Sequence, residues 1–204
     1  MENDTARAEI IAVIVALVVV VGLIGLMYVG MYNSLVSKDV SIEKMKADLE
    51  SQYQRRADLI PNLVATVQGS AQFEKSTQTE IARLRSDANT AKENMGKAKT
   101  PSEIDAANNE MTSVWSRLMV VVEAYPVLQS NQNFRDLQSQ LEGTENRITY
   151  ARTEYNEAVQ EYKMSVRSFP TSIVANMNGF DVDKWEMFKA KSGADVVPTV
   201  IFNI

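Results

Sequence analysis

The sequence predicts an all-α protein, an N-terminal transmembrane helix continuous with a helical bundle, closed by a short extended C-terminal tail. Three observations predict it. Residues 10–29, IIAVIVALVVVVGLIGLMYV, carry no charge, and about three quarters of them are Val, Ile, Leu or Met. From Leu35 to Phe169 apolar residues recur in steps of three and four, the spacing of one helix face. The closing VVPTVIFNI is β-branched around Pro198 and reads as extended.

At ~1.5 Å per residue the apolar stretch spans the roughly 30 Å hydrocarbon core of a bilayer. Its Val, Ile and Leu content makes insertion favourable by on the order of 5 kcal/mol, reduced slightly by Gly22 and Gly25. Tyr28 and Tyr32, one turn apart, stand where the helix leaves the hydrocarbon, as interfacial aromatics do. A cleavable signal peptide would need a basic leader, a shorter apolar run and an A-x-A site, but the leader MENDTARAE is net acidic. A buried core helix would need a shell of wholly apolar partners, and the remaining chain is amphipathic. Ala12 with Ala16, and Gly22 with Gly25, permit close packing against another helix.

The apolar positions Ile42, Met45, Leu49, Tyr53, Ile60, Leu63 and Val67 carry the anchor straight on as a soluble helix. Within it RRADLIPNL places Pro61, which lacks an N–H and clashes with the carbonyl of Ala57, so a kink or restart is expected at a cost of about 3 kcal/mol. That proline either bends a long helix around its core or leaves Arg55, Arg56, Asp58, Pro61 and Asn62 as a recognition surface beside a freed carbonyl. A second helix follows Gly69, with Phe73, Ile81, Leu84, Ala88, Ala91 and Met95 on one face. KENMGKAKTP, residues 92–101, reads as the loop after it. Thr100 as N-cap, Pro101 at the first helical position and Glu103 as capping-box carboxylate start a third helix, with Ile104, Ala107, Met111, Val114, Leu118, Val121 and Tyr125 on its face.

After PVLQSNQN the pattern runs from Phe134 to Tyr162 and ends at Phe169 before Pro170. That predicts a helix of roughly 36 residues, about 54 Å long, packed as in a coiled-coil-like bundle. On it Glu145 and Arg152 lie seven apart on nearly one face, flanked by Arg147 and Glu154. They suit interhelical or solvated ion pairs of ~0 to 1 kcal/mol each, or a partner-binding surface. SIVANMNGF is expected to form a short helix closed by Gly179, and DVDKWEMF a second one capped by Asp181 or Asp183. The expected domain limits are a leader at 1–9, an anchor at 10–31, a bundle at 32–170 and a C-terminal section at 171–204.

Net charge is −5, with Lys and Arg scattered among Asp and Glu, so no basic block is present to track nucleic acid. The chain contains no cysteine and no histidine. Thiol chemistry, disulfides, Ser-His-Asp triads and ordinary zinc hydrolase sites therefore have no residues to build them, and a carboxylate-only metal site lacks histidine partners. No nucleophile and base pair can be named. The expectation is no enzyme and no cofactor.

YNSLVSKD just past the anchor, RRADLIPNLV at 55–64, EAYPVLQSNQNFRDLQSQLEGTENRITYARTEYNEAV at 123–159, FP at 169–170 and the closing VVPTVIF together resemble the LemA family of bacterial membrane proteins. The resemblance covers nearly the whole chain. It implies one N-terminal anchor followed by an elongated antiparallel helical bundle, with no established enzymatic activity or cofactor. Relatives are linked to membrane processes, including magnetosome-membrane biogenesis, and some appear alongside membrane proteases. Ala57 stands where the family commonly has an aromatic residue, and Met31 precedes Tyr32 where some relatives carry a lipid-modified cysteine.

These readings lead to a single-pass protein of the bacterial inner membrane, acting as a scaffold or adaptor. Its expected partners are the lipid bilayer, further copies of itself and other membrane proteins, a membrane protease among them. The rival reading is a ligand-sensing bundle coupled to the membrane helix. Orientation divides the arguments. Arg7 precedes the anchor, whereas Lys38, Lys44, Lys46, Arg55 and Arg56 follow it, which favours a cytoplasmic bundle. The lipid-modified relatives imply the opposite side.

Overall fold

A computed structural model describes residues 2–70 and 72–189, with side chains from Ile10 onward. Among the described residues the fold is all-α and contains no strand. Six helices follow in order: α1 Glu2–Ser70, α2 Lys75–Lys97, α3 Pro101–Ala124, α4 Pro126–Gln129, α5 Gln132–Arg167 and α6 Thr171–Asn178. The apolar stretch does run on into the amphipathic stretch without a break, because α1 is continuous for 69 residues. Its apolar end is the one described segment long and apolar enough to cross a membrane, and the rest of the chain buries none of it. A core helix of a soluble protein would be covered instead.

Pro61 neither breaks nor restarts α1. Ala57, Ile60, Leu63 and Val64 around it are all buried. Their packing offsets the roughly 3 kcal/mol that an interior proline costs. The loop expected at 92–101 shrinks to residues 98–100, since α2 continues through Gly96 to Lys97. Buried Ala91 and Met95 hold that last turn down, and the Lys97–Glu93 pair at 2.5 Å lies along it. At its other end α2 begins at Lys75 rather than directly after Gly69. The start of α3 follows the sequence: Thr100 accepts from the Glu103 N–H while the Glu103 carboxylate accepts from the Thr100 N–H, and Pro101 opens the helix. Helix α5 has 36 residues and closes three residues before Pro170, whose peptide bond with Phe169 is cis.

The chain divides into two compact units. The first joins Met1–Lys44 to Glu157–Trp185. Leu35 and Ile42 of α1 and Val159 and Tyr162 of α5 are fully buried in it. Lys38 pairs with Glu161 at 2.9 Å, and Tyr32 meets Phe180 edge to face at 5.8 Å. Gly179 ends α6 at φ +74°, a left-handed cap that glycine adopts without a Cβ penalty. The second helix expected over DVDKWEMF does not form. The Asp181 carboxylate instead accepts the Asp183 N–H, and Lys184 and the Trp185 indole both donate to Asp39. Side chains thereby supply the bonds that a helix would have made internally.

The second unit joins Met45–Asn156 to the described residues of Glu186–Ile204. Its core draws Leu49, Tyr53, Ile60 and Leu63 from α1, Ile81 and Leu84 from α2, Ile104, Met111 and Leu118 from α3, and Phe134, Leu141 and Tyr155 from α5. These are the positions that the three-four spacing marks on each helix. The tail VVPTVIFNI lies outside the described residues.

Candidate functional site

Of the two adjacent arginines in RRADLIPN, Arg55 is exposed and Arg56 is almost fully buried. Arg56 follows Tyr53 by three residues, which turns it onto the inward face of α1. A buried guanidinium requires partners for its donors. Nη1 of Arg56 donates to Asn108 Oδ1, and Nη2 donates to Thr112 Oγ1 at 3.1 Å, both on α3. From α5, Glu145 Oε1 approaches Arg56 Nε to 2.5 Å as an ion pair without hydrogen-bond alignment. Burial draws the Arg56 pKa below the ordinary arginine value, and the Glu145 charge opposes that shift. One side chain thus ties α1, α3 and α5 together.

Two turns along α5, Arg152 grips Asp105 of α3 with two bonds, of 2.8 and 3.2 Å. Its guanidinium also lies over the Phe188 ring at 5.0 Å and donates to the Lys189 carbonyl. Asn156 brackets Phe188 by accepting its N–H and donating to its carbonyl, each at 2.9 Å. Tyr155 donates to the Glu186 carbonyl at 2.9 Å and packs edge-on to Phe188 at 5.5 Å. Burial, reinforced by Glu186 and Glu50, pushes the Tyr155 hydroxyl up to about 12. The sequence Arg152-Thr153-Glu154-Tyr155-Asn156 is therefore a clamp on the segment after Trp185. Beside it opens a cleft of about 410 Å³, lined by Tyr53, Asn108, Glu145, Thr149, Arg152 and Phe188 among others.

Of the predicted site residues, Glu145 and Arg152 line this cleft, and Arg56 is joined to its wall through Glu145 and Asn108. Asp58 instead pairs with Lys92 of α2 at 2.8 Å, while Asn62 and Arg147 are exposed and Pro61 is half-buried. Sequence reasoning passed over Asn108, Thr112 and Asn156. The first two carried a readable signal, a polar pair four apart directly beside the apolar stripe of α3. Among the described residues no group of three or more Asp, Glu, His or Cys could hold a metal ion.

The model of the LemA family matches residues 45–202, which includes every residue of the clamp and the cleft. The chain belongs to the LemA family. Curated relatives of this LemA-family chain include magnetosome protein MamQ 2 of Paramagnetospirillum magneticum, 26% identical over 183 residues that cover 80% of this chain and 66% of the relative. MamQ 1 of the same organism aligns to the same extent. Magnetosome protein MamQ of Magnetospirillum gryphiswaldense is 24% identical over the same shares. This LemA-family chain thus spans just under two thirds of the length of those relatives. Together with the exposed apolar end of α1, the family makes it a membrane protein.

Proposed function

We propose that this protein is a single-pass, membrane-anchored helical scaffold or adaptor of the bacterial inner membrane. It self-assembles or binds other membrane proteins and performs no catalysis. Residues 10–31 serve as the anchor, residues 32–170 as the bundle, and residues 171–204 as a separate C-terminal section. The observation that carries this reading is α1, in which a membrane-length apolar segment and the buried core of a helical unit belong to one uninterrupted helix. Such a helix holds a folded surface at a set distance from the bilayer, as a scaffold requires. The polar residues of the candidate site support the reading as well. Arg56, Glu145 and Arg152 are spent on pairing helices, which leaves Arg55, Asn62 and Arg147 outward for a partner. Relatives named magnetosome proteins fit a role at a membrane.

Chemical cross-linking in intact membranes, followed by affinity purification of the tagged full chain, tests the proposal. The expected result is a ladder of self-linked species or a recurrent membrane-protein partner, weakened by Arg55→Glu together with Arg147→Glu. A chain that stays monomeric and unlinked in its native membrane would sink it.

A further inference from the structure

We propose that α6 and the turn before it, residues 169–177, make a second contact with the membrane, seated in the lipid interface beside the point where α1 leaves it. The inference rests on the reading of α1 as the anchor. Contacts within the first unit set the level. From the Lys38–Glu161 pair the chain runs to Asn178, which donates to the Tyr28 hydroxyl at 2.8 Å. It returns through Phe180, edge to face with Tyr32, to Lys184 and Trp185, which donate to Asp39. Tyr28 lies ten residues of α1 from Lys38, about 15 Å toward the apolar end, and inside the uncharged stretch 10–29. The corner that contains α6 is therefore level with the last turn of the membrane-length segment.

The surface chemistry of that corner suits lipid. Residues 168–180, SFPTSIVANMNGF, contain no charged residue, and neither does α1 from Ile10 to Ser37. On α6, Val174 and Ala175 are buried, whereas Ile173 and Met177, four apart on the other face, are 52% and 71% exposed. Phe169, just before the helix, is 82% exposed. Large apolar side chains grouped in this way mark a contact surface. The patch continues the uncovered apolar surface of α1 with no charge between them, which favours a bilayer as its occupant over a second copy. Thr171, Ser172 and Asn176, the polar residues of the same turn, are uncharged, so seating them among headgroups desolvates no ion. At the head of the run the exposed Arg167 supplies a guanidinium for lipid phosphate. Eight residues of helix would bind a bilayer weakly by themselves, but α1 already holds them there, so no further translational freedom is lost.

The absence of native cysteine allows nitroxide labels to be placed singly by Val19→Cys, Val40→Cys, Phe169→Cys and Met177→Cys in the full chain. In vesicles of phosphatidylethanolamine and phosphatidylglycerol, labels at 169 and 177 should collide more often with oxygen, which concentrates in lipid, than with a water-soluble nickel chelate. Val40, apolar and exposed but eleven residues, about 16 Å, beyond Val29 on α1, should show the opposite preference. Chelate preference at 169 or 177 with oxygen preference at 19 would overturn this inference alone, whereas chelate preference at 19 would overturn the anchor with it. Spin–spin broadening at 169 or 177 that disappears on dilution with unlabelled chain would give the face to a second copy and refute the lipid contact. The unmodified chain supplies a reading free of any folding defect. A photoreactive phospholipid in the same vesicles should mark tryptic peptide 168–184 as well as peptide 8–38, and marking of 8–38 alone would sink the proposal.

Discussion

Arg56 is the residue on which the packing of three helices converges. A buried guanidinium with partners on two other helices is costly to orphan: removing one member of such a cluster strands the others at about 3 kcal/mol or more. Arg56→Lys is therefore expected to behave almost as badly as Arg56→Ala, since an ammonium cannot span Asn108, Thr112 and Glu145 at once. Urea unfolding of the detergent-solubilised chain, followed by circular dichroism, measures it; a lysine variant as stable as the parent would show that the fork geometry is immaterial. Tyr155 sets a second expectation. Its hydroxyl, raised to about 12, stays protonated in the folded chain after the unfolded chain has begun to ionise near pH 10. The folded state then binds more protons, so this contribution to stability is whole below about pH 10 and is lost as pH rises toward 12. Tyr155→Phe should shrink the alkaline loss of stability, at a cost near neutral pH of about 1 kcal/mol for the hydrogen bond to Glu186.

Among the elements, α1 holds the sharpest tension, because an interior proline sits in a helix that does not break. Pro61→Ala restores an N–H and removes the clash with the Ala57 carbonyl, and should stabilise the unit by about 1 to 3 kcal/mol. The same variant separates two roles of RRADLIPN. Unchanged cross-linking in membranes would leave the motif a structural one, whereas lost cross-linking with gained stability would mark its surface as recognition. The segment after Trp185 shows the converse, residues around Phe188 that could have formed a helix but are held out of one by side chains of α5. Asn156 alone satisfies both backbone groups of Phe188, which local propensity could not foretell.

For the whole molecule the charges on either side of the apolar stretch carry a prediction about orientation in the bilayer. One arginine stands before the anchor and five cationic residues follow within 27 positions of it, so charge count favours the cytoplasm. Alkaline phosphatase joined after Ile204 should then be inactive in cells, and a green fluorescent partner at the same position should glow. Strong phosphatase activity would reverse the assignment.

What the sequence determined by itself was whatever depends on local periodicity and on transfer to lipid. Twenty uncharged residues specify an apolar helix without reference to any partner, and steps of three and four specify α2, α3 and the 36 residues of α5. The capping box at Thr100 is equally local, since its donors and acceptors lie within four residues. The spacing that turns Tyr53 and Ile60 inward turns Arg56 inward as well and leaves Arg55 outside, but only the tertiary structure supplied the partners that a buried charge needs there. It alone joined Arg56 to Asn108 and Glu145, residues 52 and 89 positions away in the chain. Burial of a charge is decided by partners on other helices, and the spacing of a single helix carries no record of them.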